Sequence, residues 1–156
     1  NLILEKHLVR RICSNCITWY VPDDLELSGA KVKASTTLRE LRFTEASLND
    51  ARSRATPDAA PHLKGLSLDT TIGELPFFKG KGCELCGGTG LKGRQGLYEV
   101  MFVTQELRKI IMKNGDADDI REVAIKEGML TLRMDGWLKV LKGITTLEQV
   151  IRETTA

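Results

Sequence analysis

Apolar positions Leu4, Leu8 and Ile12, with Leu2, Ile3 and Val9 beside them, recur at helical spacing, so residues 2–12 read as a helix that delivers Cys13. Pro22-Asp23-Asp24 reads as the next helix start, with acids where the free N–H groups of a first turn favour them, and Gly29 as its stop. Residues 36–55 carry a thin apolar stripe, Leu38, Leu41 and Leu48, with a break near Phe43-Thr44. Arg39, Arg42, Arg52 and Arg54 lie among acids there, which predicts a solvated helical face. From Thr56 to Gly65 the composition turns to Pro, Ala, Asp and Gly, the mark of an exposed linker. Asp69 to Phe78 fits a short helix or a strand equally.

The second half is better punctuated. Gln95 to Val103 is rich in β-branched and aromatic residues and predicts a strand. Four helices follow. Thr104 caps one that ends at Gly115, Asp116 caps one that ends at Gly128, and Thr131 caps one that ends at Gly143. Thr145-Thr-Leu-Glu148 matches the capping box, so the last helix runs from there to about Glu153. Asp135 and Gly136 are unusual inside a helix. An interior Gly costs roughly 1 kcal/mol relative to Ala, which close packing or a contact would have to offset.

Composition narrows the class. Over 156 residues the chain is 42% apolar and 28% charged, an ordinary globular balance, and its 5% of aromatics leaves a mostly aliphatic core. Its 23 basic and 21 acidic residues give a net charge of +2, no basis for a nucleic-acid or membrane-surface partner. No apolar run approaches the roughly 18 residues of a membrane span, so direct membrane insertion is not expected. Glu5 and Lys6 come too early for a signal peptide, and the first residue is not Met. The expectation is a piece of a longer cytoplasmic protein.

The candidate chemistry lies in the cysteines. All four fall in two C-x-x-C pairs, Cys13-Ser-Asn-Cys16 and Cys83-Glu-Leu-Cys86, separated by 66 residues. Four thiolates complete the tetrahedral shell of a structural Zn2+, and a two-residue spacer lets one tight turn aim two sulfurs at one metal. Gly80, Gly82, Gly87, Gly88 and Gly90 flank the second pair, where they permit tight turns and bring N–H groups near a thiolate. Lys79, Lys81, Lys92 and Arg94 would offset the negative charge of such a site. A disulfide framework needs an oxidising compartment, and a redox C-x-x-C usually occurs alone at a helix start, so both compete less well.

No catalytic constellation accompanies the cysteines. A phosphate loop G-x-x-x-x-G-K-[ST], a G-x-G-x-x-G after a strand and a G-x-S-x-G are all missing from these residues. His7 and His62 are read as surface or interface residues.

Several segments, taken in order, resemble one family. They are Lys6-His-Leu-Val-Arg-Arg-Ile-Cys13-Ser-Asn-Cys16, Gly82-Cys83-Glu-Leu-Cys86-Gly-Gly-Thr-Gly90, Lys92-Gly-Arg-Gln-Gly-Leu-Tyr-Glu-Val100, Glu127-Gly-Met-Leu-Thr-Leu-Arg-Met-Asp-Gly136 and Lys142-Gly-Ile-Thr-Thr-Leu-Glu-Gln-Val150. The family is the secretion ATPases, the cytoplasmic motors of type II secretion and type IV pilus assembly, and the resemblance covers residues 1–29 and 77–156. It implies a hexameric bacterial ATPase, cytoplasmic and peripheral to the inner membrane through its partners. Those partners would be neighbouring subunits of a homohexamer and an inner-membrane platform protein. Cys13, Cys16, Cys83 and Cys86 match the family's four metal-binding cysteines. ATP and Mg2+ would bind only in an upstream core, so this piece is expected neither to bind nor to hydrolyse ATP alone. The family's loop between the cysteine pairs is usually shorter.

The expected fold class is α+β and mainly helical, a tetracysteine zinc module followed by a short strand and a C-terminal helical bundle. Residues 1–93 would form the module, with a helical insertion at about 30–76, and residues 94–156 the core-returning strand and a helical subdomain. Two rivals exist. Cys83 to Gly90 fits the C-x-x-C-x-G-x-G repeat of J-protein co-chaperones, zinc-dependent protein-interaction domains, but Cys16 lacks the following glycines. A nucleic-acid-binding zinc ribbon conflicts with the near-neutral charge.

Overall fold

A computed structural model describes residues 2–154. Its longest pairing joins β1 (Leu2–Ile12) to β4 (Leu91–Phe102), antiparallel, from Leu2 opposite Phe102 through His7 opposite Leu97 to Ile12 opposite Leu91, with a register shift between Arg10 and Ile12. Residues 2–12 are thus a strand and not the expected helix. The reason lies in the spacing. Leu4, Leu8 and Ile12 are four apart, and four residues is both about one helical turn and two full strand repeats. The partner that decides the matter begins at Leu91, far outside any local window. Val9 and Leu97 face the core, while Leu2, Leu4 and Leu8 lie on the exposed face. β4 has 12 residues, so the expected short strand is a long one.

A smaller ladder pairs β2 (Ile17–Tyr20) with β3 (Phe77–Gly80), Ile17 opposite Gly80 and Tyr20 opposite Phe77. Between these strands runs the segment that sequence reasoning could least interpret. Its first helix, α1 (Asp24–Gly29), starts as expected. The Asp23 side chain accepts the Glu26 N–H at 2.8 Å. The left-handed residue after it is Lys31, at φ 60°, and Gly29 stays within the helix.

The expected helix over 36–55 is reduced to α2 (Glu45–Arg54), because Thr44 caps it through a reciprocal box with Ser47. Before it the chain turns. Leu38 and Arg39 donate their N–H groups to the Thr70 and Leu68 carbonyls, and Arg42 adopts φ 67°. Nor is Thr56–Gly65 an exposed linker. It holds a 3-10 turn at Ala60–Leu63, the Thr56 N–H donates to the Lys142 carbonyl at 2.9 Å, and Ala59 and Leu63 are buried. Pro57 and Pro61 preclude a long helix, but a turn can still direct small apolar groups inward. A second 3-10 turn, Ile72–Glu74, precedes β3 and resolves the ambiguous stretch.

Four helices end the chain. These are α3 (Gln105–Met112), α4 (Ala117–Lys126), α5 (Leu132–Leu141) and α6 (Leu147–Thr154). Thr104, Asp116 and Thr131 cap the first three as expected. Gly128 and Gly143 take positive φ after α4 and α5, whereas α3 ends on Asn114 at φ 58° and not on Gly115. The last cap is one residue off. Thr146 accepts the Gln149 N–H, while the buried Thr145 donates its hydroxyl to the Arg10 carbonyl at 2.7 Å. α3 packs with α4 and α5 with α6, and the latter pair also lies on the long ladder, α5 against β4 and α6 against β1. Among the described residues the fold is α+β, six helices with small sheets.

One main core joins the long ladder, the intervening segment and α5–α6. Val9 and Leu97 of the ladder share it with Leu38, Leu48, Leu63 and Ile72 of the intervening segment and with Trp137, Leu138, Leu141, Leu147 and Val150 of α5 and α6. An ion pair reinforces the junction, Asp50 Oδ2 of α2 at 2.6 Å from the buried Lys142 ammonium. Leu63→Ala is therefore expected to destabilise the protein by about 2–5 kcal/mol through loss of buried surface and the cavity left behind. Denaturant unfolding measures this, and a change below about 0.5 kcal/mol would mean the segment is the solvated linker its composition suggests.

Candidate metal centre

Two turns carry the cysteines. In the first, the Cys16 N–H donates to the Cys13 carbonyl at 3.3 Å, which folds the C-x-x-C back on itself. In the second, the Gly88 N–H reaches the Cys83 carbonyl at 2.9 Å, with Gly87 and Gly88 both at positive φ. The turns are brought together where the chain leaves and re-enters. The Cys13 N–H donates to the Gly90 carbonyl at 2.9 Å and the Lys81 N–H to the Cys16 carbonyl at 3.0 Å. Gly80 and Gly90 cross so closely that a Cβ on Gly80 would lie 2.2 Å from the Gly90 oxygen. No side chain fits at that crossing.

The four sulfurs lie within 4.8 Å of one another. Cys13 to Cys83 is 3.7 Å, Cys16 to Cys86 is 3.8 Å and Cys83 to Cys86 is 3.7 Å. A tetrahedral zinc with Zn–S of about 2.3 Å requires sulfur–sulfur edges of about 3.8 Å. A disulfide needs about 2.05 Å, and the cysteines are free. The four candidate residues are thus brought together with the spacing of a four-thiolate shell, and they could hold a metal ion such as zinc.

Donors around the sulfurs favour thiolates. Cys86 is opposed by burial, but the Cys83 and Gly90 N–H groups, each 3.2 Å from its sulfur, prevail and bring its pKa down to about 6. At Cys83 the Asn15 side-chain amide, 3.3 Å away, leads in lowering the pKa. Burial pushes Cys16 up to about 11, against the Gly82 N–H at 3.3 Å. A divalent cation among the four would hold every one of them deprotonated.

The remaining sequence candidates lie elsewhere. Lys79 places its ammonium 4.9 Å from the centre of the Tyr20 ring. His7 sits on β1, its Nδ1 2.6 Å from the Glu153 carbonyl oxygen, and His62 packs edge-on to Phe78. Asp135 is structural, since its Oδ2 accepts from the Tyr98 N–H at 2.9 Å and from the Lys139 ammonium at 2.6 Å. Sequence reasoning missed Asn15. Its position inside the first C-x-x-C was the available signal. Among the described residues no helix is long and apolar enough to cross a membrane.

Comparison with known proteins gives concordant results. The profile of a family described as "Type II/IV secretion system protein" matches residues 1–152. The chain is 37% identical over 152 residues to a type IV pilus assembly ATPase PilB of Thermus thermophilus, covering 97% of this chain and 13% of that protein. It is 34% identical over 154 residues to a protein of the same name from Pseudomonas aeruginosa, covering 99% and 21%. A type II secretion system protein E of Dickeya dadantii is 27% identical over 152 residues, covering 97% and 22%. The chain therefore spans roughly a fifth or less of the first two relatives.

Proposed function

Because the chain belongs to the type II/IV secretion system protein family, we propose that it is the metal-holding and helical part of a cytoplasmic motor ATPase that powers type IV pilus assembly or type II secretion. The ATPase function is proposed for the whole protein, and ATP with Mg2+ would occupy a core outside these residues. Isolated, residues 1–156 should show no ATP turnover, and measurable hydrolysis by them would contradict the assignment.

The observation that carries the metal reading is that Cys13, Cys16, Cys83 and Cys86 bring their four sulfurs within 4.8 Å of one another, three of the edges being 3.7–3.8 Å. Zinc bound there is structural. When present it links the two turns and closes the excursion between them, and all four ligands come from the protein, leaving no open position for a reacting water. Metal analysis of purified protein should find about one zinc per chain, and absence of metal would overturn this reading.

We read residues 1–93 as the zinc module and 94–156 as the returning strand and helical subdomain, joined by the β1–β4 ladder. The module would project from the hexamer and touch the inner-membrane platform protein or the neighbouring subunit. Cys83→Ser in the full-length protein should impair pilus assembly or secretion, and normal output with the metal lost would defeat the coupling role. The J-protein alternative finds no support, since those domains hold two zinc ions and the four cysteines here form one cluster.

A further inference from the structure

The four sulfurs are not secured alike. Cys13 is shut off from solvent, at 1% exposure. Cys16 accepts the Gly82 N–H, and Cys86 accepts two, from Cys83 and Gly90. Those backbone donors cannot rotate away, because the turns and the Gly80–Gly90 crossing fix them. Cys83, half-buried, accepts from the Cys86 backbone N–H of its own turn and from the side chain of Asn15, an exposed residue of the opposite turn. The Asn15 amide is thus a side-chain clasp between the two C-x-x-C turns.

Resting on the zinc reading above, we propose that Asn15 is a positioning residue for the metal centre, holding the Cys83 thiolate from the opposite turn so that the centre gives up its metal more slowly. A hydrogen bond to a metal-bound thiolate draws charge from the sulfur and fixes its direction. Where the donor is a mobile side chain, its loss leaves that sulfur more nucleophilic and freer to swing off the metal. The other three sulfurs keep their backbone donors or their burial.

Two variants test this in the zinc-loaded protein. Asn15→Ala removes the amide. Asn15→Asp keeps the size and turn preference of Asn but cannot donate from its carboxylate. Both should pass zinc to a chromophoric chelator about tenfold faster than wild type. Under limiting iodoacetamide, peptide mass spectrometry should find Cys83 labelled sooner in the variants than in wild type. In that reaction an S–C bond forms, iodide leaves and the metal–sulfur bond breaks. With cobalt in place of zinc, the thiolate-to-metal charge-transfer band should shift in both variants.

A purely structural turn role for Asn15 predicts that Asn15→Asp behaves as wild type, and that result would overturn the proposal. So would Cys83 labelling no faster in the variants than in wild type, or an unmoved cobalt band. Zinc bound normally with unchanged release sinks this proposal alone, whereas a wild-type protein without zinc sinks it together with the metal reading.

Discussion

Cys13→Ser is expected to empty the metal site and unravel the turns that form it, while leaving α5 and α6 folded. A structural zinc in a small cysteine-rich peptide contributes about 10–16 kcal/mol of apparent binding free energy, as much as the ~5–15 kcal/mol stability of an entire domain. Little else holds residues 81–90, where Glu84, Leu85, Gly87, Gly88 and Thr89 are exposed. Apolar support near the turns comes from a small cluster of Ile12, Ala59 and Phe78, with Ile17 and Ala55 packed against it. The main core, by contrast, draws on Trp137, Leu138, Leu141, Leu147 and Val150 and includes no cysteine. Hydrogen exchange should therefore show amide protection lost at residues 13–20 and 77–90 and retained in α5 and α6. Unchanged protection in the first two segments would mean that the turns need no metal. Collapse of α5 and α6 as well would mean that the two regions unfold as one.

Gly136→Ala should lower stability even though Ala is the better helix former. The substitution gains roughly 1 kcal/mol of helix propensity. Against this, a Cβ on Gly136 would lie 2.4 Å from Val150 Cγ1 and 3.1 Å from its Cγ2. Val150 is fully buried on α6 and has nowhere to retreat. Overpacking of this kind costs about 1–3 kcal/mol or more, so the net effect is a loss, seen as a fall of about 2–10 °C in Tm. The control is the pair. Gly136→Ala combined with Val150→Ala should be more stable than the sum of the two single changes implies, because the added methyl fills part of the space vacated by Val150. Additive behaviour would show that α5 and α6 do not meet at this point.

The glycine that appeared anomalous as a helix residue is thus explained by a neighbour that sequence does not reveal. The same limit recurs elsewhere. The caps at Thr104, Asp116 and Thr131 were legible because capping is decided within four residues. The metal candidates were legible because C-x-x-C constrains its own turn. Residues 2–12 misled because a four-residue spacing satisfies both periods, and only pairing with β4 chooses between them. Thr145 has the sequence signature of a cap. Its hydroxyl is instead used by the Arg10 carbonyl, 135 positions away in sequence. The burial of Ala59 and Leu63 in a Pro-containing stretch was hidden for a related reason, since what they pack against is assembled from distant parts of the chain.

The Gly80–Gly90 crossing and the Tyr20–Phe77 pairing together close a neck through which the segment from Val21 to Pro76 leaves and returns before it packs on the main core. Once a neck is closed, the entropic cost of lengthening the chain beyond it grows only logarithmically, about 0.6 kcal/mol for each doubling. The excursion is then free to change size at its surface turns without disturbing the sulfurs at its base. Gly65, exposed and with nothing within 4 Å of where a Cβ would stand, marks one place where extra residues would be absorbed at little expense.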